Sequence, residues 1–311
     1  MRPSSPLSAI AVLFFSLALT GCLFRSHSVP ANLSKAPLQT ATEQQLAEKL
    51  NHEADVIHTM NASVEIATSV GGAKKGKVTE YSAINGFILA EKPAMLRMIG
   101  LLPIVRNRAF DMVSNGQTFE LWIPPKNRFI VGSNEVTKPS TNTLENLRPQ
   151  VILDALLFQP VQPDDIAVLE ARMQTVVDEQ SKKRVEQPNY VLDIIHQDPS
   201  SGRWYLSRKL YFNRSNLLPY RQLLFNKAGT IATDAQYGNF RNFGGISFPM
   251  HIIIHRPEEE YTVGIKVLKL TLNQPLKPEQ FVLEQPEGAQ VVRLDGSTAA
   301  VSSPPTGNPN E

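Results

Sequence analysis

The chain has 311 residues, 42% of them hydrophobic, and its 31 basic and 29 acidic side chains leave a formal charge of +2. Acidic and basic residues are interspersed, which excludes a nucleic-acid footprint; the one basic cluster, Lys74, Lys75 and Lys77 beside Gly71, Gly72 and Gly76, has the composition of a solvated turn. A single cysteine, Cys22, excludes an internal disulfide.

Arg2, an apolar stretch from Leu7 to Leu19 and then Thr20-Gly21-Cys22 have the order of an export signal, too short as an apolar run to span a bilayer. Leu19-Thr20-Gly21-Cys22 resembles the lipobox of bacterial lipoproteins. The resemblance implies that residues 1–21 are removed and that Cys22 carries the lipid, so that membrane lipid is a partner through this residue. Leu23 stands where an Asp marks inner-membrane retention in such proteins, which points to the outer membrane, facing the periplasm. Residues 22–41 have the composition of a flexible tether, residues 42–290 that of a folded domain, and residues 291–311 that of a disordered tail.

The domain opens with a helix. Thr42 and Gln45 have capping-box spacing, and Leu46, Leu50, Ala54 and Ile57 follow at helical period, with the helix ending near Asn61. Strands are expected from Val64 onward, at Val78–Ala90, Met95–Ile99, Ala109–Ser114, Gln117–Ile123 and Arg128–Val131, with Asn115-Gly116 as a type I′ hairpin turn. Pro149 suits the first turn of a second helix that runs to Phe158 and stops before Pro160. Strands resume at Ile166–Val177, Tyr190–His196, Trp204–Asn213, Pro219–Lys227, Thr230–Phe240, Ile246–His255 and Tyr261–Leu272. The fold class is therefore mainly β: a curved antiparallel sheet forming an unclosed barrel, with the few helices as its lid.

Several pieces in order carry a family likeness: Glu91-Lys92-Pro93-Ala94-Met95-Leu96-Arg97, then Ser114-Asn115-Gly116-Gln117-Thr118-Phe119, then Leu121-Trp122-Ile123-Pro124, and finally Pro278-Glu279-Gln280-Phe281. Together they resemble the LolA/LolB-type lipoprotein-localisation superfamily, in its lipid-anchored branch. The resemblance implies an apolar cavity for the acyl chains of lipoproteins, closed by helices. It makes Lys92 the lid-contact candidate, where the soluble carriers use arginine; lysine lacks the planar donor fork, so the same latch does not follow. It also implies that Leu101, Leu102, Ile104 and Val105 touch the membrane, although those residues read by themselves equally suit a buried strand end turning at Pro103.

Phe87, Leu89, Phe119, Leu121, Trp204, Leu206, Leu210 and Phe212 recur at period two within their strands, as inward-facing residues do. Core packing explains each of them; the resemblance makes the group candidates for lining the cavity. His251 and His255 share one strand face without a third ligand at metal-site spacing, and Asp164-Asp165 after Pro163 reads as a turn, so no metal, cofactor or catalytic residue is expected. Gly-x-Ser-x-Gly and a phosphate-binding glycine loop are absent, and no enzyme is expected. Two readings stay open: a lipid-anchored binder of acylated lipoproteins or another amphiphile, and an envelope sensor or scaffold that uses the same fold to meet an unidentified protein partner.

Overall fold

In the computed structural model of the chain, the described residues are 33–134, 148–177 and 181–294. The signal peptide, Cys22 and most of the expected tether lie outside them, as does the tail from residue 295. The chain divides into two units. The smaller, residues 33–36 with 173–188, holds the ends of two strands: Leu33 bridges to Glu186, the Ser34 amide donates to the Glu186 carbonyl (2.8 Å), and Thr175 Oγ1 donates to Glu186 Oε1 (2.6 Å).

The larger unit, residues 37–172 with 189–294, begins with helix α1 (Glu43–Val56). Its capping box is formed: the Gln45 amide donates to Thr42 Oγ1 (3.2 Å), and the Thr42 amide donates to Gln45 Oε1 (2.9 Å). Leu46, Leu50 and Ala54 are buried, one apolar stripe at helical spacing. The helix stops at Val56 rather than near Asn61, because the next residues extend into strand β1 (Thr59–Gly72), whose Met60, Ala62, Val64 and Ile66 alternate into the core. Antiparallel hairpins follow through β2 (Lys77–Glu91), β3 (Met95–Leu101), β4 (Arg108–Ser114), β5 (Thr118–Ile123) and β6 (Arg128–Ser133).

The β4–β5 hairpin turns at Asn115-Gly116 as expected, but only Gly116 has positive φ (90°), so it is not type I′. The Asn115 side chain shapes it instead, with Oδ1 accepting from the amides of Gln117 and Thr118 at 3.0 and 2.9 Å. Helix α2 (Pro149–Leu156) comes next, then β7 (Ile166–Val177), β8 (Arg184–Gln197), β9 (Trp204–Asn213), β10 (Leu218–Phe225), β11 (Ile231–Phe243), β12 (Ile246–Arg256), β13 (Tyr261–Leu272) and β14 (Gln290–Arg293). The strands form one 14-stranded sheet in the order β14-β6-β5-β4-β3-β2-β1-β13-β12-β11-β10-β9-β8-β7. Among the described residues its two end strands, β14 and β7, do not pair with each other, so the sheet is not closed into a barrel.

Two expectations about the ends of the domain are corrected. Residues 37–41, assigned to the tether, pack on the larger unit: the Gln39 amide donates to the Arg214 carbonyl (2.7 Å), Arg214 Nε returns a bond to the Gln39 carbonyl (3.0 Å), and Ala41 is buried. The tail does not begin at residue 291, because β14 pairs in parallel with β6 from Gln290 to Arg293.

The segment before β14 covers the outer face of β3–β6. Phe281 and Leu283 bury there with Val113 and Phe129. Beneath them Asp111, fully buried, takes a two-point bond from Arg97 (Nε to Oδ1 3.0 Å, Nη2 to Oδ2 2.8 Å) and pairs with Arg108 (3.0 Å). Arg97 Nη1 also donates to the Gln280 carbonyl (2.8 Å), so the Lys-Pro strand start and the distant Pro278-x-x-Phe281 turn meet through one side chain. Removing one partner from a buried ion pair strands the other, at a cost of about 3 kcal/mol. Asp111→Ala is therefore expected to lower the unfolding free energy by about that much in a urea titration; an unchanged midpoint would contradict this role.

Candidate functional site

The inner face of the sheet is apolar and is covered by both helices. Under α2, Ile152, Leu153, Ala155 and Leu156 pack with Ile88, Leu96, Met112, Phe119 and Ile130 from one half of the sheet and with Phe248, Ile252 and Ile265 from the other. Under α1, Leu46 and Leu50 pack with Tyr190, Leu192, Ile194, Leu210 and Phe212. Phe158, just beyond α2, touches both clusters.

Of the eight residues that period two assigns to the inside, four are there. Phe119 and Leu121 belong to the cluster under α2, with the Arg148 guanidinium 5.4 Å from the Phe119 ring centroid, and Leu210 and Phe212 belong to the cluster under α1. All four are buried against the helices.

The other four are elsewhere. Phe87 and Leu89 flank the inward Ile88 and so point outward; Phe87 is 43% exposed, and Leu89 packs into the outer cluster around Phe281. On β9 the pairing slips between Ile194↔Arg208 and Ile195↔Leu206, which leaves Ser207 as an extra residue whose Oγ donates to the Ile194 carbonyl (2.9 Å). Such a bulge moves every later side chain to the opposite face. Leu206 and Trp204, the latter 47% exposed, are thereby turned away from the face that holds Leu210 and Phe212.

Lys92 is placed at the end of α1. Its Nζ donates to the Ala54 carbonyl, one of the four that the last helical turn leaves without an intrahelical partner. Asn273 reinforces this end, with Nδ2 donating to the Val56 carbonyl (2.7 Å) and Oδ1 accepting from the His58 amide (2.8 Å). Burial lowers the Lys92 pKa, and the nearby Asp55 opposes that shift. Beside this end opens a cavity of about 530 Å³, lined by Lys49, His52, Glu53 and Asp55 of α1 and by Gly244 to Ser247. Burial raises the Glu53 pKa there, against the pull of Lys49.

The apolar loop between β3 and β4 has two faces. Leu101 and Leu102 are half-buried, whereas Ile104 is 99% and Val105 62% exposed. The turn is closed by the Leu102 amide on the Asn107 carbonyl (2.7 Å) and the Arg106 amide on the Leu102 carbonyl (3.1 Å). It holds Ile104 and Arg106 at φ 70° and 53°, a region that costs a β-branched residue of order 1–3 kcal/mol.

A polar group at the rim escaped the sequence reading. Arg208, an inward position on β9, donates to the carbonyls of Gln159 (2.7 Å) and Pro160 (2.9 Å). His196 Nδ1 lies 2.7 Å from Asp165 Oδ1, and the Tyr205 ring meets His196 edge-on at 5.9 Å. The available signal was Arg208 itself, a charge in period two with the apolar Leu210 and Phe212. His255, by contrast, is engaged through Nδ1 with Thr262 Oγ1 (2.9 Å). Among the described residues no helix is long and apolar enough to cross a membrane.

No family model matches the sequence, and no curated protein matches it. Solved structures similar to the chain include a LolA superfamily protein from Nitrosomonas europaea, at 19% identity and TM-score 0.46 over 78% of this chain and 99% of that one. A DUF1329 family protein from Desulfovibrio piger is similar at 13% identity and TM-score 0.49, over 77% and 95% of the two chains. An outer membrane lipoprotein-sorting protein domain from Vibrio parahaemolyticus follows at 10% identity and TM-score 0.47, over 77% and 97%. At these identities and TM-scores neither family membership nor function is carried across to this chain.

Lys92→Met keeps the apolar stem and removes the donor to Ala54. Loss of one hydrogen bond of about 1 kcal/mol is expected to speed amide exchange in the last turn of α1 about fivefold, read by hydrogen–deuterium exchange. Unchanged exchange would show that Asn273 alone fastens the helix end.

Proposed function

We propose that the protein binds the acyl chains of lipoproteins, or another amphiphile, on the inner face of its sheet, and that α1 and α2 give up that face as the ligand enters. The observation that carries this reading is the cover itself: an apolar face spanning both halves of the sheet is closed by helices of only 14 and 8 residues. A helix and an acyl chain compete for the same apolar surface. Each buried methylene contributes about 0.8 kcal/mol, so a chain that replaces Leu46 and Leu50 recovers the free energy lost when they leave, and no covalent step is needed. Lys92 and Asn273 act as the fastening at one end of α1.

In this reading Cys22 carries the lipid, the protein faces the periplasm from the outer membrane, and the Ile104-Val105 tip of the β3–β4 loop meets the bilayer. The tip supports that role because two exposed apolar side chains, Ile104 and Val105, are presented by a strained turn. No chemical catalysis is assigned. A second reading, a scaffold for a protein partner, is favoured by the close packing of Phe119, Leu210 and Phe212 against the helices.

Two measurements test this. The mature Cys22→Ser chain, mixed with a diacylated peptide, is expected to retain it in native mass spectrometry; a clean unliganded mass at saturating peptide would favour the scaffold. Separately, Ile104→Gly on that chain relieves the strained φ and removes the apolar tip. It is expected to weaken binding to phosphatidylethanolamine–phosphatidylglycerol vesicles about tenfold without lowering the melting temperature, since burying an isoleucine contributes roughly 1.5–3 kcal/mol. Undiminished vesicle binding would remove the loop from the membrane.

A further inference from the structure

We propose that Asp164, Asp165 and His196 form a site for a divalent transition-metal ion of the zinc class. One ligand atom from each residue lies within 4.8 Å of the others, so side-chain shifts of about an ångström bring them to the roughly 3.4 Å separations that tetrahedral donors take around one ion at about 2.1 Å. The donors are one imidazole and two carboxylates with no thiolate, a set that suits zinc, manganese or cobalt. Three protein ligands leave an open position for water.

The surroundings are built rather than incidental. The Asp165 side chain is almost fully buried, and the Gln162 amide fixes its Oδ2 at 2.9 Å. His196 is held edge-on by Tyr205, with an interplanar angle of 88°. Asp164 stands at the exposed side and completes the set. In the metal-free protein His196 Nδ1 bonds to Asp165 Oδ1; an ion takes the place of that bond by coordinating Nδ1 of the neutral ring, whose proton then resides on Nε2. Arg208 lies near Asp165 and offsets one of the two carboxylate charges, which sets the site toward moderate rather than extreme affinity.

The position gives the ion a consequence for the two helices. Residues 157–165 connect α2 to β7, and the connector is held by Arg208 at Gln159 and Pro160 and by Asn51 of α1, whose Oδ1 accepts from the Val161 amide (2.7 Å). An ion at Asp164 and Asp165 ties the far end of this strap to β8. Metal occupancy thus stiffens the segment through which both helices are attached, independently of whether the inner face receives an acyl chain.

The test uses the tag-free mature Cys22→Ser chain, stripped with EDTA and titrated with zinc chloride in a calorimeter. One ion per chain is expected, with the melting temperature raised by about 5 °C at a hundredfold excess over the dissociation constant. Asp164→Asn and His196→Gln are each expected to weaken binding at least tenfold. Asp164 is exposed, so Asp164→Asn is also expected to leave the metal-free melting temperature unchanged. Absence of saturable heat, or zinc binding that survives both substitutions, would overturn the assignment.

Discussion

Everything in this molecule turns on the inner face of one open sheet. Fourteen strands in a single order with unpaired ends present a broad apolar surface, and leaving it in water would cost about 25 cal/mol for each Å². Two short helices supply the cover. An isolated helix of 8 residues such as α2 has no stability of its own, so its conformation depends on the face that it covers. The proposed exchange uses that dependence: apolar burial, the main force holding α1 and α2 down, is non-directional, so an acyl chain of the right width could supply it in their place.

The polar contacts are placed where direction matters. Arg97 and Asp111 fix the outer segment on β3–β6, so the outer face of those strands is covered through directional bonds. Lys92 and Asn273 hold one end of α1, while Arg208 and Asn51 hold the connector after α2. The inner face is thus closed by apolar contact in its middle and by a few hydrogen bonds at its ends, an arrangement in which a small number of side chains sets how readily the helices move.

Much of this was legible in the sequence, because strand and helix patterns are local. Thr42 and Gln45 announced α1, Pro149 announced α2, and the bounds of β7, β9 and β13 follow directly from alternation and turn residues. What failed were inferences that depend on pairing. Period two on β9 would put Trp204 and Leu206 on the same face as Leu210, but the extra Ser207 breaks the count, and nothing in the one-dimensional pattern announces a bulge. Leu89 alternates as an inner residue would; it points outward because the outer face of β3–β6 is also buried, beneath a segment nearly two hundred residues further on. β14 was hidden by its brevity, and the first half of β8 by Pro188 within the run. At the candidate site, Asp164-Asp165 and His196 read separately as a turn and a strand residue, and only the pairing of β8 with its neighbours brings them together.

The central claim is that a ligand displaces α1 from the sheet. Hydrogen–deuterium exchange of the mature Cys22→Ser chain, with and without a saturating diacylated peptide, tests this most directly. The account predicts that exchange in residues 43–56 rises when the peptide binds while β8 and β9 beneath stay protected. Exchange in α1 that is unchanged or slower in the presence of bound peptide would contradict it and place the ligand outside the inner face.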